Sequence, residues 1–328
     1  MDKHERLQAT IKGEPADRVP VALWRHFPVD DQRPEDLAAA TLEFQSLYDF
    51  DLVKVTPASS FCVRDWGTRD EWRGDPEGTR DYVHRPIARP DDWLKLKPLD
   101  PHAGSLGGQL HALELIHKGL PAGTPFIQTI FSPISQARNL VGPDHLMAHL
   151  RQYPSEVKAA LGVIVETTIR FIEEARRTGI SGIFYAVQFA STRVMSEAEY
   201  REFGEPYDRQ ILAAAGDPAG DLWLNVLHLH GEEVMFDLAA SYKASVINWH
   251  DRETPPSLAA GAQKFVGAVC GGLRQWETMV RGAPEAVRAE AQSAIADMNG
   301  RRLILGTGCV TPITTPRANL RAAREAVN

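Results

Sequence analysis

The residues best suited to chemistry in this 328-residue chain are two histidines one position apart, His228 and His230, and a distant cysteine, Cys309. On an extended strand, positions i and i+2 point to the same side. Two such imidazoles converge on one point, and a thiolate at the end of another strand across the same opening completes a His₂Cys set that suits zinc with its fourth position open. The same three residues equally describe hydrogen-bonded pocket histidines and a small buried cysteine, and spacing leaves both readings open. His250 beside Asp251 supplies a further ligand and its supporting carboxylate, or belongs to an ordinary pocket loop. Arg25 puts a permanent positive charge where a carboxylate-bearing substrate would meet it, or makes a structural salt bridge. Trp66, Trp72 and Trp93 form an aromatic wall over a flat ligand or a satellite core. Gly306-Thr307-Gly308 is no dinucleotide fingerprint, because the third glycine of GxGxxG would fall on Thr311.

These groups need strands to hold them. Short β-rich apolar runs bounded by turn residues lie at Val19–Trp24, Leu52–Thr56, Phe126–Phe131, Gly182–Val187, Leu222–His228, Ser245–Trp249, Phe265–Cys270 and Leu303–Gly306. Helical patterns separate them, opened by Pro34, Pro154, Ser196, Pro284 and Pro316. Alternating continuous apolar strands and helices predict an α/β fold with a parallel sheet closed into a (β/α)₈ TIM barrel, an open doubly wound sheet being the alternative. The chemistry of such a barrel lies at the C-terminal ends of its strands. Those ends read Trp24-Arg25-His26, His228-Leu229-His230, Asn248-Trp249-His250-Asp251 and Gly306-Thr307-Gly308-Cys309. Cys270 ends a run before two glycines that read as turn formers.

The long gap after the second run, about 58–124, carries WGTRDEWRGDPEGTRDYVHRPI. It is expected to be an insertion containing a hairpin that acts as a lid or rim. One domain spanning 1–328 is expected. With 36 Lys+Arg against 43 Asp+Glu the formal charge is -7, so no basic surface argues for nucleic acid. Three cysteines without a CxxC pair suit a reducing compartment, and neither a signal peptide nor an apolar run of membrane-spanning length is legible. The cytoplasm is the expected location, with no membrane partner.

Taken together, the segments resemble the uroporphyrinogen decarboxylase superfamily, which also includes zinc-dependent, corrinoid-linked methyltransferases. The resemblance runs from RLQATIKGEPADRVPVALW through FSPISQARNLVG and VMSEAEYREFGEPYDRQIL. It continues into LNVLHLHG, ASVINWHD, FVGAVCGGL and LILGTGCVTPITTPRANLRAA, in the family's order. It implies a (β/α)₈ barrel. The decarboxylases' Arg-Gln-Ala-Gly-Arg segment is here Arg25-His26-Phe27-Pro28-Val29, their aspartate after strand two is missing from Lys54-Val55-Thr56-Pro57, and their closing Gly-His-Gly is Gly306-Thr307-Gly308. Losing those groups would leave a porphyrinogen's polar groups unpaired. The methyltransferases' zinc-binding His-x-Cys and Gly-Cys match at His228 and Cys309, with His230 standing where that branch has cysteine. The exchange raises the formal charge of a zinc site from zero to +1, which makes a bound thiolate a weaker nucleophile.

The resulting expectation is a zinc-dependent methyltransferase moving a methyl group between a corrinoid or small substrate and a thiol-like acceptor. His228, His230 and Cys309 would hold the metal, Arg25 and His250 would act in catalysis, and Arg25, His26, Asn248 and Trp249 would touch the substrate. A corrinoid protein is the expected partner and a homodimer the family's suggestion. The alternatives are decarboxylation of a porphyrinogen or other carboxylated substrate, with Arg25 as anchor, and a non-catalytic corrinoid or tetrapyrrole binder ligated through His230 or His250.

Overall fold

The computed structural model describes residues 1–216 and 220–327. Nine strands are present among them: β1 (Val53–Val55), β2 (Arg69–Glu71), β3 (Asp81–His84), β4 (Phe126–Phe131), β5 (Gly182–Val187), β6 (Val226–Leu229), β7 (Val246–Trp249), β8 (Ala268–Leu273) and β9 (Leu303–Thr307). Seven form one curled parallel sheet in the order β1-β4-β5-β6-β7-β8-β9, and β2 pairs with β3 as an antiparallel hairpin. Helices connect the parallel strands on the outside, as the alternation requires.

The expected first strand, Val19–Trp24, is extended but irregular, and bridges the two edges of the sheet. Ala22 N–H donates to Leu305 O and Leu305 N–H to Pro20 O on one side, while Asp51 N–H donates to Val21 O on the other. Asp51 fixes this seam with its side chain as well. Fully buried, it accepts from Arg6 at 2.7 Å, from Arg18 at 2.7 and 2.9 Å, and from the Val21 amide at 2.8 Å. One carboxylate thus ties the N-terminal helix Lys3–Lys12, the bridging segment and the entry to β1.

Two other runs shift. Leu222–His228 shortens to β6, and Phe265–Cys270 moves forward to β8, because Phe265 caps the helix Leu258–Lys264. The pair Gly271-Gly272 therefore lies inside a strand rather than in the expected turn. A Cβ at Gly271 would sit 2.2 Å from an Asp251 carboxylate oxygen, so close packing is what demands glycine there.

The stretch 58–124 holds more than an excursion. Its last third is the helix Gly104–Gly119, which serves the sheet as the other connecting helices do. Ahead of it the hairpin of β2 and β3 is held by buried ion pairs of Arg80 with Asp31 at 3.3 Å and Asp70 at 3.1 Å. Its tip reaches over the C-terminal ends of the strands. Ile313 N–H donates to Pro76 O at 2.8 Å, and Gln275 Nε2 and Trp276 Nε1 each donate to Glu77 Oε1 at 3.0 Å. No helix among the described residues is long and apolar enough to cross a membrane.

Replacing Asp51 by alanine would leave Arg18 and the Val21 amide without their buried acceptor, and Arg6 with Asp17 alone, which costs about 3–5 kcal/mol. Urea denaturation of Asp51→Ala is expected to show that loss as a lower midpoint at unchanged slope.

Candidate functional site

Alternation along each strand sorts side chains into inward and outward sets. His228 on β6 is in register with Asn248 on β7, and both point inward. The next inward residues are His230, whose amide continues the ladder to Val187 O at 2.9 Å, and His250, immediately past β7. Cys309 follows β9 by two residues. The loop that carries it passes so close to β7 that a Cβ on Gly308 would lie 2.6 Å from His250 Cα, so glycine is what lets the thiol approach.

His228, His230, His250 and Cys309 therefore converge, with ligand atoms all within 4.8 Å of one another. The three imidazoles are mutual neighbours, at ring-centroid distances of 5.8 Å, 6.2 Å and 5.4 Å. His230 Nδ1 lies 3.8 Å from Cys309 Sγ. The fourth member is the histidine whose role the sequence left open.

Hydrogen bonds behind the cluster decide which nitrogens face it. Asn248 Nδ2 donates to Cys270 O at 2.9 Å and Thr307 O at 3.0 Å, which turns Oδ1 toward His228. His228 Nδ1–H must then be the donor in the 2.6 Å contact with Oδ1, leaving Nε2 for the cluster. His250 Nδ1 donates to Glu253 at 3.0 Å, and its buried Nε2 has no hydrogen-bond partner. Imidazoles anchored at one nitrogen with the other bare are how metal-binding histidines are held.

Electrostatics agree with that set. Burial disfavours the Cys309 thiolate, but the adjoining imidazoles of His228, His230 and His250 outweigh burial and hold the thiol well below its ordinary range. Burial opposes protonation of His250 too, yet the thiolate and Glu253 raise it to about 10. Burial, in contrast, keeps His228 below the usual histidine value. The donor set of three imidazoles and one thiolate fits zinc, and matches its preference for nitrogen and sulfur.

The cluster forms one wall of a cavity of about 90 Å³. His26 lines it, buried with Nδ1 unpartnered and driven to about 4 by burial and by Lys54, so it is neutral. The other expected substrate contacts lie elsewhere. Asn248 is fully buried behind His228. Trp249 points outward, against Phe236 at a 4.8 Å centroid distance, with Nε1 donating to Pro256 O. Arg25 turns away into a separate cleft, beside Phe27 and Arg317, and donates to Ile313 O at 3.3 Å. Trp66, Trp72 and Trp93 donate to Lys97 O, Asp75 O and His149 Nδ1, and none lines the cavity.

Sequence reasoning missed Glu253, although His-x-x-Glu after a strand end is a usable signal. It also missed Lys54, which lines the cavity from β1. A lysine inside an apolar parallel strand was the sign to read.

A curled parallel α/β sheet whose C-terminal mouth gathers a thiol and three imidazoles defines a class of enzyme. Across residues 2–328 the chain matches the uroporphyrinogen decarboxylase (URO-D) family model, and it belongs to that family. A methylated-thiol–coenzyme M methyltransferase of Methanosarcina mazei is 24% identical over 309 residues, covering 92% of this chain and 78% of the relative. A uroporphyrinogen decarboxylase of Rhodococcus opacus is 30% identical over 142 residues, covering 42% of this chain and 39% of the relative. A solved methyltransferase from Methanosarcina mazei superposes with a TM-score of 0.82 at 20% identity, covering 99% of this chain and 98% of that one. The family comprises both methyltransferases and decarboxylases.

Removing the amide that orients His228 is expected to weaken metal binding about 10- to 100-fold. Competition of Asn248→Leu and wild-type protein against a chromophoric zinc chelator measures the difference.

Proposed function

We propose that this chain is a zinc-dependent methyltransferase that passes a methyl group between a corrinoid or small substrate and a thiol-like acceptor. The observation that carries the reading is the convergence of His228, His230, His250 and Cys309 at the mouth of the sheet, with two of the imidazoles tied back through Nδ1. His228, His230 and Cys309 are the proposed ligands from two strand ends. His250 adds a fourth from β7, in place of the catalytic role expected for it, and is the ligand that would yield its position to an acceptor thiol.

Bound there, zinc would supply Lewis acidity that lowers the pKa of an acceptor thiol. The residues themselves do the rest. Cys309 is held as thiolate, Asn248 and Glu253 fix two rings, and the tip of the hairpin reaches over the mouth through Glu77. The eight-strand barrel expected from the sequence is completed, in this reading, by the Val19–Trp24 segment, and the hairpin is its rim. A corrinoid protein is the proposed methyl donor, because a cavity of about 90 Å³ admits a small acceptor and not a corrin ring. Decarboxylation has less support, since Arg25, its anticipated anchor, faces a different cleft.

Metal analysis of protein purified without chelators is expected to find one zinc per chain, lost in Cys309→Ala and His230→Ala. Absence of stoichiometric metal from the wild type would falsify the reading.

Proton release offers a second test. At neutral pH Cys309 is already a thiolate and His228 neutral, whereas His250, raised to about 10, still carries its proton. Zinc uptake must displace that proton, so affinity should rise about tenfold per pH unit below about pH 10. Calorimetric titration in two buffers of different ionisation enthalpy should give about one proton released near pH 7.

A further inference from the structure

Lys54 is the one ammonium on the wall of the cavity, and its surroundings are those of a cation waiting for an anion. Only 6% exposed, it points inward from β1, its Nζ 3.2 Å from Thr56 Oγ1 and 4.5 Å from the centre of the Phe184 ring. A hydroxyl and an aromatic face solvate a charge weakly, and among the described residues no carboxylate forms an ion pair with it. Burial accordingly lowers it to about 7, with the Cys309 thiolate as the one opposing charge, so near neutral pH it is about half ammonium and an anionic guest would draw it fully into the charged form. Glu77 lines the same cavity, but its Oε1 is engaged by Gln275 and Trp276. A metal on Cys309 would take up the thiolate's charge and leave Lys54 with less compensation still.

An unpartnered donor beside Lys54 points the same way. Trp24 lines the cavity with Nε1 buried and without an acceptor, and its ring lies 5.9 Å from Lys54 Nζ. Gln188 Oε1, buried and unpartnered on the cavity wall, is an acceptor and calls instead for a donor elsewhere on the guest. A buried donor left unmade is costly, so a cavity that keeps one beside a lysine is shaped for a ligand that accepts from both.

We propose that Lys54, assisted by the Trp24 indole N–H, is the specificity determinant of the cavity and selects small substrates that carry an oxyanion, a carboxylate or its equivalent, at the end remote from the reacting atom. The inference rests on the proposed function for what happens at the histidine and cysteine cluster, but the anion site itself needs no metal. It assigns the carboxylate-recognition role expected of Arg25 to a residue on the neighbouring strand. A neutral compound of the same size would leave the ammonium and indole unmatched, which is how buried polar groups discriminate between ligands.

Calorimetric titration with 3-mercaptopropionate and 3-mercaptopropan-1-ol tests this on zinc-loaded protein, with propionate against propan-1-ol on metal-free protein. Wild type is expected to prefer each carboxylate by about tenfold or more, the scale of a charge-assisted hydrogen bond. Lys54→Met should abolish that preference while keeping the zinc content of wild type, and Trp24→Phe should reduce it about threefold to tenfold. Trp24→Phe and thermal melts guard against misfolding of the lysine variant. An undiminished preference in folded Lys54→Met, or none in wild type, would overturn the proposal. If metal-free protein shows the preference and no zinc binds, the anion site stands and the metal reading falls; if zinc binds without any preference, the reverse holds.

Discussion

Everything at the mouth of this sheet depends on one buried amide. Asn248 reaches from β7 to the backbone carbonyls of Cys270 on β8 and Thr307 on β9, and offers its remaining oxygen to His228 on β6. Four strands are thereby held in a fixed lateral relation at the level where their side chains meet. The same contacts settle a chemical question, because an amide with both N–H groups engaged presents only an acceptor to the ring. A tautomer is imposed by geometry. An apolar residue of similar volume would fill the space and lose both effects.

The cluster this amide supports is electrically unusual for a buried place. A thiolate survives there because three imidazoles surround it, and one of those is kept charged by the thiolate and by Glu253. Cys309 and His250 perturb each other, so the two titrate as a pair rather than as separate acids. A few residues away the balance is different. Lys54 has no carboxylate to pair with, and His26 is neutral because burial and that lysine both disfavour its proton. The cavity therefore runs from mutually compensating groups at the cluster to a lysine without a carboxylate partner at β1.

Much of this was legible in the residue order. The i, i+2 spacing of His228 and His230 puts both rings on one side of the strand, and the Gly308-Cys309 pair after the last strand brings the thiol to within 4.8 Å of their nitrogens. The strand pattern was recovered at β4 and β5 to the residue, because long apolar runs between clear turn signals leave little freedom. Failures came where tertiary contact overrides local preference. Phe265 and Val266 look like a strand start yet end a helix, and Gly271 looks like a turn yet is packed against Asp251. Arg25 was placed by its nearness to a strand end, but past Trp24 the chain stops alternating, and parity no longer says which way a side chain faces. Trp249 failed for the opposite reason: parity was available and assigns it outward, between two inward residues.

The hairpin bears on the order in which the molecule is assembled. Glu77 finds its partners 198 and 199 residues further along the chain, and Pro76 meets Ile313 beyond the last strand. Contacts of such separation carry a large loop-closure cost and form after the local ones. The roof of the cavity is consequently set down only when β8 and β9 are in place, which is also when Cys309 joins the three histidines. Until then the four side chains and the cavity beside them lie open to the surrounding solution, so any guest has its freest access before the roof is in place.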